Sequence, residues 1–398
     1  MKLLIRLMLL ILICTAAPVS VCAAPGDRKD ERALVAVTHE LCHRQVAMLG
    51  ESATHGDGRA EAFKVALVER LIDQCGYDSV FFEASHPEFI NIARRLRTGQ
   101  VVTADQVAAA IGGLWKFDQE FQPLVPFLLG KAQAGKISLG GIDDQLGQLG
   151  QDFANVELVA ELTGLLPQPQ RTDCSAAHHR RIYSDYTEAA PYSKSDRSQI
   201  AVCLSDIQYV TAIDRKTAVR DREDRLEMIS ATQRWISRDF TSDAELIVGR
   251  DRSMFQNFEW LRSQRPRRHK VILWAATVHI AKYGDPTWGD HTGANFGSYV
   301  HQKYGDHAFS LGFSALAGSY RQGRRNVQKI PTPPNDSMEA QSTREGRSEA
   351  VYVGLAQLAG MGIVPGAVFR HSYQELLWAG FLDGVVVLPE EEPPHSSR

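Results

Sequence analysis

Four short apolar runs recur along the chain, and each is followed closely by an ionisable residue. They are Val46–Leu49 before Glu51 and His55, Ser79–Phe82 before Glu83, Leu139–Ile142 before Asp143, and Val271–Ala275 before His279. Short apolar runs of this kind are typical of strands buried on both faces, as in a parallel sheet. The pattern therefore predicts four central strands with polar groups near their carboxyl ends.

Segments with apolar residues at helical spacing separate these runs. Phe63, Leu67 and Leu71 share one face and predict an amphipathic helix over Arg59–Cys75. Further helices are predicted at 88–97, 104–111, 117–134 and 295–304, and a strand at 307–313. This alternation favours crossover connections and a largely parallel sheet. Residues 152–264 are almost wholly helical in pattern. The predicted fold class is α/β, a mostly parallel central sheet flanked by helices, with a helical cap insertion.

The same pattern divides the chain into five parts. We expect a signal peptide at 1–23, the first part of the α/β core at 24–151, the helical cap insertion at 152–264, the second part of the core at 265–389 and a disordered tail at 390–398. Within the second part, strands are predicted at 364–370 and 384–389, and the polar stretch 328–348 is predicted to be a mobile loop.

The N-terminus predicts export. Lys2 and Arg6 precede a short apolar stretch, and small residues lead to Ala23, as in a secretory signal peptide. The apolar stretch is too short to span a bilayer, so we expect a periplasmic or secreted chain without stable membrane insertion.

Four cysteines remain after cleavage, in a compartment that permits disulfides. Four cysteines allow three pairings, and sequence order favours Cys42 with Cys75 and Cys174 with Cys203, because each pair would join neighbouring helices.

Charge narrows the class of partner. The formal net charge is −3 and no basic stripe runs along the chain, which argues against nucleic acid as a partner.

The polar residues at the strand ends form the candidate site. Ligands of open α/β sheets bind beyond the carboxyl ends of the strands, so we expect these groups to converge. Two carboxylates beside an imidazole raise its pKa and fix its tautomer, as a general base for water requires. A nearby cation can stabilise a developing oxyanion. The predicted catalytic residues are His55, Glu51, Glu83, His279 and Lys64, and the predicted substrate-binding residues are Asp143, Arg59 and Trp274.

A second motif supports a different hypothesis. The sequence His39-Glu40-Leu41-Cys42-His43 matches the helical zinc motif in which two histidines bind the metal and the glutamate activates water. A zinc metallohydrolase using His39, Glu40 and His43 is therefore an alternative, although no clearly placed third ligand follows.

At the candidate site the sequence resembles the erythromycin esterase family. The resemblance runs over most of the mature chain, through Leu49-Gly50-Glu51 with His55-Gly56, Gly76-Tyr77, Phe81-Phe82-Glu83, Gly141-Ile142-Asp143, Arg250-Asp251 with Met254 and Asn257, Lys270-Val271-Ile272, His279-Ile280, Ser310-Leu311-Gly312 and Phe381-Leu382-Asp383-Gly384. It implies an α/β core with a helical cap that hydrolyses a small-molecule ester or lactone by water attack, with no cofactor. His55 would then be the general base, Glu51 and Glu83 would orient it or the water, and His279 would assist as acid or donor.

The sequence departs from the family pattern at three places. One extra residue separates Glu51 from His55, Lys64 stands where an arginine is expected, and Ala276 stands where a histidine is expected. A changed substrate is the natural inference. The family also resembles haem-binding and metal-dependent proteins, so a haem- or metal-binding relative without esterase activity is a further alternative.

Overall fold

A computed structural model describes residues 30–146, 152–265, 269–283, 294–322, 326–343 and 348–396. The signal peptide expected at 1–23 lies outside the described residues. Among the helices in these ranges, none has both the length and the apolar character needed to cross a membrane.

The central feature of the described chain is a seven-stranded sheet in the order β3-β2-β4-β1-β5-β11-β8. All neighbouring strands are parallel except the edge strand β8, which runs antiparallel to β11. The mostly parallel α/β sheet expected from the apolar runs is confirmed. The strands are β1 Val46–Leu49, β2 Ser79–Ser85, β3 Ser138–Asp143, β4 Val271–Trp274, β5 Ala308–Ala315, β6 Ser319–Gln322, β7 Asn326–Lys329, β8 Val351–Gly354, β9 Ile363–Gly366, β10 Gln374–Leu377 and β11 Gly384–Leu388.

Helices cover both faces of this sheet. One face packs against the first helices of the chain through residues such as Leu67, Leu71 and Leu128, and the other through Met254, Phe258 and Phe296. The helices are α1 Glu31–Leu41, α2 Gly58–Cys75, α3 His86–Arg97, α4 Ala104–Ile111, α5 Leu124–Gln133, α6 Leu158–Thr163, α7 Gln170–Ile182, α8 Lys194–Ile213, α9 Val219–Ser237, α10 Asp243–Ser263, α11 Thr277–Ile280, α12 Phe296–Tyr304, α13 Met338–Ser342, α14 Leu355–Met361 and α15 Trp378–Phe381.

The helical cap insertion is also present. Helices α6 to α9 enclose an apolar cluster of their own, which contains Leu162, Leu204 and Met228. Helices α8 and α10 start with capping boxes, in which Ser193 pairs with Asp196 and Ser242 with Glu245. Trp260 on α10 packs against the cap cluster and against the core, so α10 joins the two.

The cysteines pair as sequence order favoured. Cys42 and Cys75 join the ends of α1 and α2, with their Cα atoms 4.8 Å apart. Cys174 and Cys203 join α7 to α8 inside the cap, with their Cα atoms 5.6 Å apart. Both pairs are at disulfide distance.

The second part of the core differs from the expectation in two segments. The stretch 328–348 was expected to be a loop, but its described part contains the end of β7 and the helix α13, whose Met338 and Glu339 are buried. The strand expected at 364–370 is shorter and belongs to a separate two-stranded sheet with β10. Distant parts of the chain hold α13, since Ser314 Oγ and the backbone N–H of Ala367 both donate to Glu339 Oε1. The local sequence pattern does not reveal such contacts.

Residues 390–396, part of the expected disordered tail, lie against the start of α2. Glu391 is buried there, and its backbone bonds to the connection between β5 and β6 through Ala317 and Ser319. Hydrogen bonding to buried backbone groups orders a terminus that composition alone marks as polar.

Candidate active site

The carboxyl ends of the central strands bring the predicted acidic and imidazole groups together. Glu51 and His55 follow β1, Glu83 lies near the end of β2, and His279 lies in the short α11 after β4. Gly50 permits a close approach at this edge, because a Cβ there would lie 2.9 Å from the carbonyl oxygen of Leu311. The backbone of Thr277 then donates to the carbonyl of Glu51 at 2.8 Å and ties α11 to β1.

Glu51 is a buried carboxylate with four side-chain donors among the described residues. Its Oε1 accepts from His55 Nδ1 at 2.5 Å and from Trp115 Nε1 at 2.9 Å. Its Oε2 accepts from Lys64 Nζ and from Trp274 Nε1, the latter at 2.9 Å. Burial alone would raise the pKa of Glu51, but the charges of Lys64 and His55 outweigh it and lower that pKa to about 2. Glu51 is therefore ionised at neutral pH.

The bond to Glu51 sets the tautomer of His55. An ionised carboxylate only accepts hydrogen bonds, so Nδ1 carries the proton and Nε2 of the neutral ring keeps a free lone pair. Within the described chain Nε2 has no hydrogen-bond partner, and about 15% of the side chain is exposed. Burial lowers the pKa of His55, but the hydrogen bond and charge of Glu51, together with the charge of Glu83, raise it overall.

Lys64 and Trp274 both donate to Glu51 Oε2 and are fully buried. Lys64 Nζ sits 3.8 Å from the centre of the Trp274 ring as well as bonding Glu51. Burial, partly offset by the charge of Glu51, lowers the pKa of Lys64. We expected Lys64 to face an oxyanion and Trp274 to bind substrate. The structure instead places both where they hold Glu51.

Trp115 belongs to this group, although the sequence analysis did not include it. It lies in the turn after α4, donates to Glu51, and packs its ring edge-on against His55 with 5.6 Å between ring centres. No periodicity or motif marks this position in the sequence. An indole N–H that approaches Glu51 from one side and a ring that touches His55 restrict both partners to one geometry.

Trp115→Phe and Trp274→Phe each remove one indole donor from Glu51. We expect each to lower the free energy of unfolding by about 1.5–3 kcal/mol, the typical value of a hydrogen bond to a charged group. Of these two side chains, only Trp115 also touches His55. Trp115→Phe should therefore lower kcat as well as stability, by about 3- to 10-fold, whereas Trp274→Phe should lower stability alone. Urea unfolding and steady-state kinetics on the two variants check this. Equal kcat values would contradict a role of Trp115 in positioning His55.

A second charged cluster surrounds Glu83. Arg250 from α10 donates to Glu83 Oε1 at 2.9 Å and to Asp143 Oδ2 at 2.6 Å, and the backbone N–H of Ala276 donates to Glu83 Oε2 at 2.9 Å. Burial opposes ionisation of Glu83, but the charges of His279 and Arg250 hold its pKa well below the usual range. Asp143 thus contacts Arg250 in the structure, and Glu83 is a fixed anion at the site.

His279 lies between two carboxylates of this cluster. Its Nδ1 donates to Asp251 Oδ1 at 2.7 Å, and its Nε2 lies 3.3 Å from Glu83 Oε1. Burial lowers the pKa of His279, but the charges of Asp251 and Glu83 prevail and raise it to about 10. This pKa favours the protonated ring at neutral pH, although Arg250 Nη1, which can only donate, also lies 3.1 Å from Nε2. Together with Arg250, the protonated ring provides two positive charges beside three carboxylates.

Arg250 and Asp251 were visible in the sequence only through the family resemblance. Charged residues at helical spacing, as on α10, are more often a solvated face than a functional one. Asp251 is buried, and only 17% of the Arg250 side chain is exposed. Both are covered because α10 packs on β3, where Asn257 donates to the carbonyl of Ile142 at 2.7 Å. A further buried pair, Arg238 with Asp144, fixes the cap helix α9 to the residue after β3, with one donor distance of 2.8 Å.

Two predicted groups lie elsewhere. The guanidinium of Arg59 pairs with Asp30 at 2.8 Å and does not point into the site. His39 and His43 are exposed at the end of α1, near the opposite edge of the sheet, and Glu40 pairs with Arg44. In the ranges that the structure covers, no group of three or more His, Cys, Asp or Glu side chains could hold a metal ion.

Sequence comparison identifies the family of the chain. The sequence model described as "Erythromycin esterase" matches residues 72–377, well over half of the chain. The chain belongs to the erythromycin esterase family. The match includes Glu83, Asp143, Arg250, Asp251 and His279, and it begins after Glu51, His55 and Lys64. The putative hydrolase YbfO of Bacillus subtilis (strain 168) is 21% identical over 401 residues, which cover 93% of this chain and 86% of YbfO.

Three solved structures with low sequence identity share the fold of this chain. A Bacillus cereus protein has a TM-score of 0.69 with 15% identity, covering 92% of this chain and 93% of its own. A mutant of erythromycin esterase EreC in its open conformation has a TM-score of 0.66 with 13% identity, covering 92% of this chain and 95% of its own. A protein described as a succinoglycan biosynthesis protein has a TM-score of 0.68 with 14% identity, covering 91% and 92%. The recognition of an erythromycin-esterase-like hydrolase family from the sequence is thus confirmed.

Proposed function

We propose that this family member hydrolyses a carboxylic ester or lactone, with His55 as the general base. The observation that carries the proposal is the ring of His55, whose Nδ1 is held by ionised Glu51 at 2.5 Å while Nε2 has no partner among the described residues. A base for water needs one fixed nitrogen and one available nitrogen, and this arrangement supplies both.

In the proposed reaction, His55 Nε2 takes a proton from water as the water oxygen attacks the carbonyl carbon. The carbonyl oxygen becomes an oxyanion, and the imidazolium of His55 is stabilised by Glu51. Collapse of the tetrahedral intermediate breaks the bond to the alcohol oxygen, which receives the proton from His55. We assign the stabilisation of the developing oxyanion to the positive charges of His279 and Arg250.

The pH dependence of kcat/KM follows from the His55 pKa. The base is active only when neutral, and the hydrogen bond and charge of Glu51 raise the pKa of His55 above its ordinary value of about 6.5. Activity should therefore be low in acid and should rise with pH through a limb whose midpoint lies above 6.5. The measurement is kcat/KM against pH on a hydrolysed ester.

The double variant Glu51→Gln with Lys64→Met tests the origin of that limb. Removing both partners avoids leaving a lone buried charge. Burial should then dominate, so the pKa of His55 falls and the limb moves to lower pH, with lower maximal activity. A limb that stays in place would contradict the assignment of Glu51 as the partner that raises the pKa of His55.

Export of the chain is part of the proposal. The N-terminal pattern of Lys2 and Arg6 before an apolar stretch supports it, and so do two cysteine pairs at disulfide distance, which suit an oxidising compartment. N-terminal sequencing of the protein from a periplasmic fraction tests it, with cleavage near Ala23 expected.

A further inference from the structure

The loop that carries His55 is conformationally strained. This His55 loop comprises residues 52–57, between Glu51 and α2, and His55 itself has a φ of 52°. A left-handed conformation in a non-glycine residue persists only where the surrounding structure imposes it. The orientation of the His55 ring therefore depends on the contacts that hold the loop from outside.

Those contacts come from the C-terminal part of the chain. The backbone of Ala53 donates to the carbonyl of Phe369 at 2.9 Å, and Arg321 donates to the carbonyl of Gly56 at 2.9 Å. Gly58, the first residue of α2, donates to the carbonyl of Glu392 at 2.7 Å. The approach is close, since a Cβ on Gly56 would lie 1.8 Å from the carbonyl oxygen of Arg321.

Glu391 makes the side-chain contact that fixes the end of the loop. Its Oε1 accepts from the backbone N–H of Arg59 at 2.7 Å, and its Oε2 accepts from that of Ala60 at 3.3 Å. These N–H groups belong to the first turn of α2, where a helix has no internal acceptors for its donors. Only 3% of Glu391 is exposed. A residue distant in sequence thus acts as the cap of α2.

A buried contact between an aspartate and a histidine also holds the end of the His55 loop. Asp57, the last residue of the loop, has its Oδ1 2.8 Å from His371 Nε2, an ion-pair contact that lacks hydrogen-bond geometry. His371 also has a positive φ, 55°, and its ring stacks on Tyr320 with 4.0 Å between centres. The loop is therefore held at Ala53, Gly56 and Asp57, and the start of α2 is held at Gly58.

We propose that Glu391 is a positioning residue for His55: by capping α2 it fixes the His55 loop and keeps the imidazole bonded to Glu51. This inference rests on the proposed function where it concerns turnover. Its effect on the His55 ring does not depend on the substrate.

The test compares Glu391→Ala with Glu390→Ala. Glu390 is the neighbouring tail residue, and its side chain is exposed. The protein is labelled with ¹⁵N-histidine, the His55 signal is assigned with His55→Ala, and the pKa of His55 is measured by NMR. In Glu391→Ala we expect the loop to relax, the bond to Glu51 to weaken, and this pKa to fall toward 6.5. We expect kcat to fall by about 10- to 100-fold with KM changed less than about 3-fold. Glu390→Ala should match the unmodified protein.

Two further variants keep the test decisive. Glu391→Gln keeps an acceptor oxygen in place and should restore most of the kcat and of the His55 titration. Glu391→Asp is one methylene shorter and replaces the alanine variant in the test if that variant does not fold. We expect it to lower the pKa of His55 in the same direction by a smaller amount. A folded Glu391→Ala or Glu391→Asp protein whose His55 titrates as in the unmodified protein would overturn the proposal. Hydrolysis that is unaffected by His55→Ala would instead refute the proposed function, and the NMR result would still decide the role of Glu391.

Discussion

Replacing His55 by alanine is expected to lower kcat/KM by about 10²–10⁴-fold, the usual contribution of a general base. The side chain is partly exposed and lies in a loop whose backbone is held by other contacts, so the fold should survive the change. Loss of the ring removes the proton acceptor for water but leaves the positive charges of His279 and Arg250 in place. Initial rates across pH on a hydrolysed ester measure the effect.

The matched control is His43→Ala. His43 is exposed at the end of α1 and belongs to the zinc-like motif, so its removal also tests that alternative. We expect unchanged turnover. Retained activity in a folded His55→Ala protein would contradict the assignment of the base, and loss of activity in His43→Ala with loss of bound metal would favour the zinc hypothesis.

The second large effect is a loss of stability when Arg250 is replaced. Arg250→Met should lower the free energy of unfolding at pH 7 by about 3–5 kcal/mol, because it leaves Glu83 and Asp143 buried without their shared cation. Arg250→Lys keeps the charge but not the two-pronged geometry. Its free energy of unfolding should therefore lie between those of the unmodified protein and Arg250→Met. Urea unfolding measures all three proteins.

Arg252→Met is the control on the same helix. Arg252 is exposed, and its loss should change stability by no more than about 0.5 kcal/mol. The deficit of Arg250→Met should also shrink as the pH falls, since protonation of the freed carboxylates removes their unpaired charge. An Arg250→Met protein as stable as Arg252→Met would contradict the account of this cluster.

The central strands were predictable because their burial on both faces leaves a continuous apolar run, as in Val46–Leu49 and Val271–Trp274. The edge strand β8 has one partner and a mixed pattern, so its sequence does not distinguish it from a loop. The segment around α13 was predicted as a loop for a related reason. Its polar residues include Glu339, whose burial depends on Ser314 and on the backbone of Ala367.

The site was predictable where topology alone places a residue. Glu51, His55, Glu83 and His279 follow from the rule that parallel strands end at one edge. Side-chain direction does not follow from that rule. Arg59 at the start of α2 turns toward Asp30, and Trp274 points inward to Glu51. Trp115 contacts Glu51, and Glu391 contacts the start of α2, through the packing of distant parts of the chain, which no local pattern records.

The central claim is that the protein adds water to an ester and that His55 is required. The most direct measurement is mass spectrometry of erythromycin and a panel of simple esters incubated in ¹⁸O-water with the protein, with His55→Ala and with a chelator present or absent. We predict one added water, with ¹⁸O in the acid product, that requires His55 and is unaffected by the chelator. No hydrolysis of any ester by well-folded protein, or hydrolysis that persists without His55, would contradict the account.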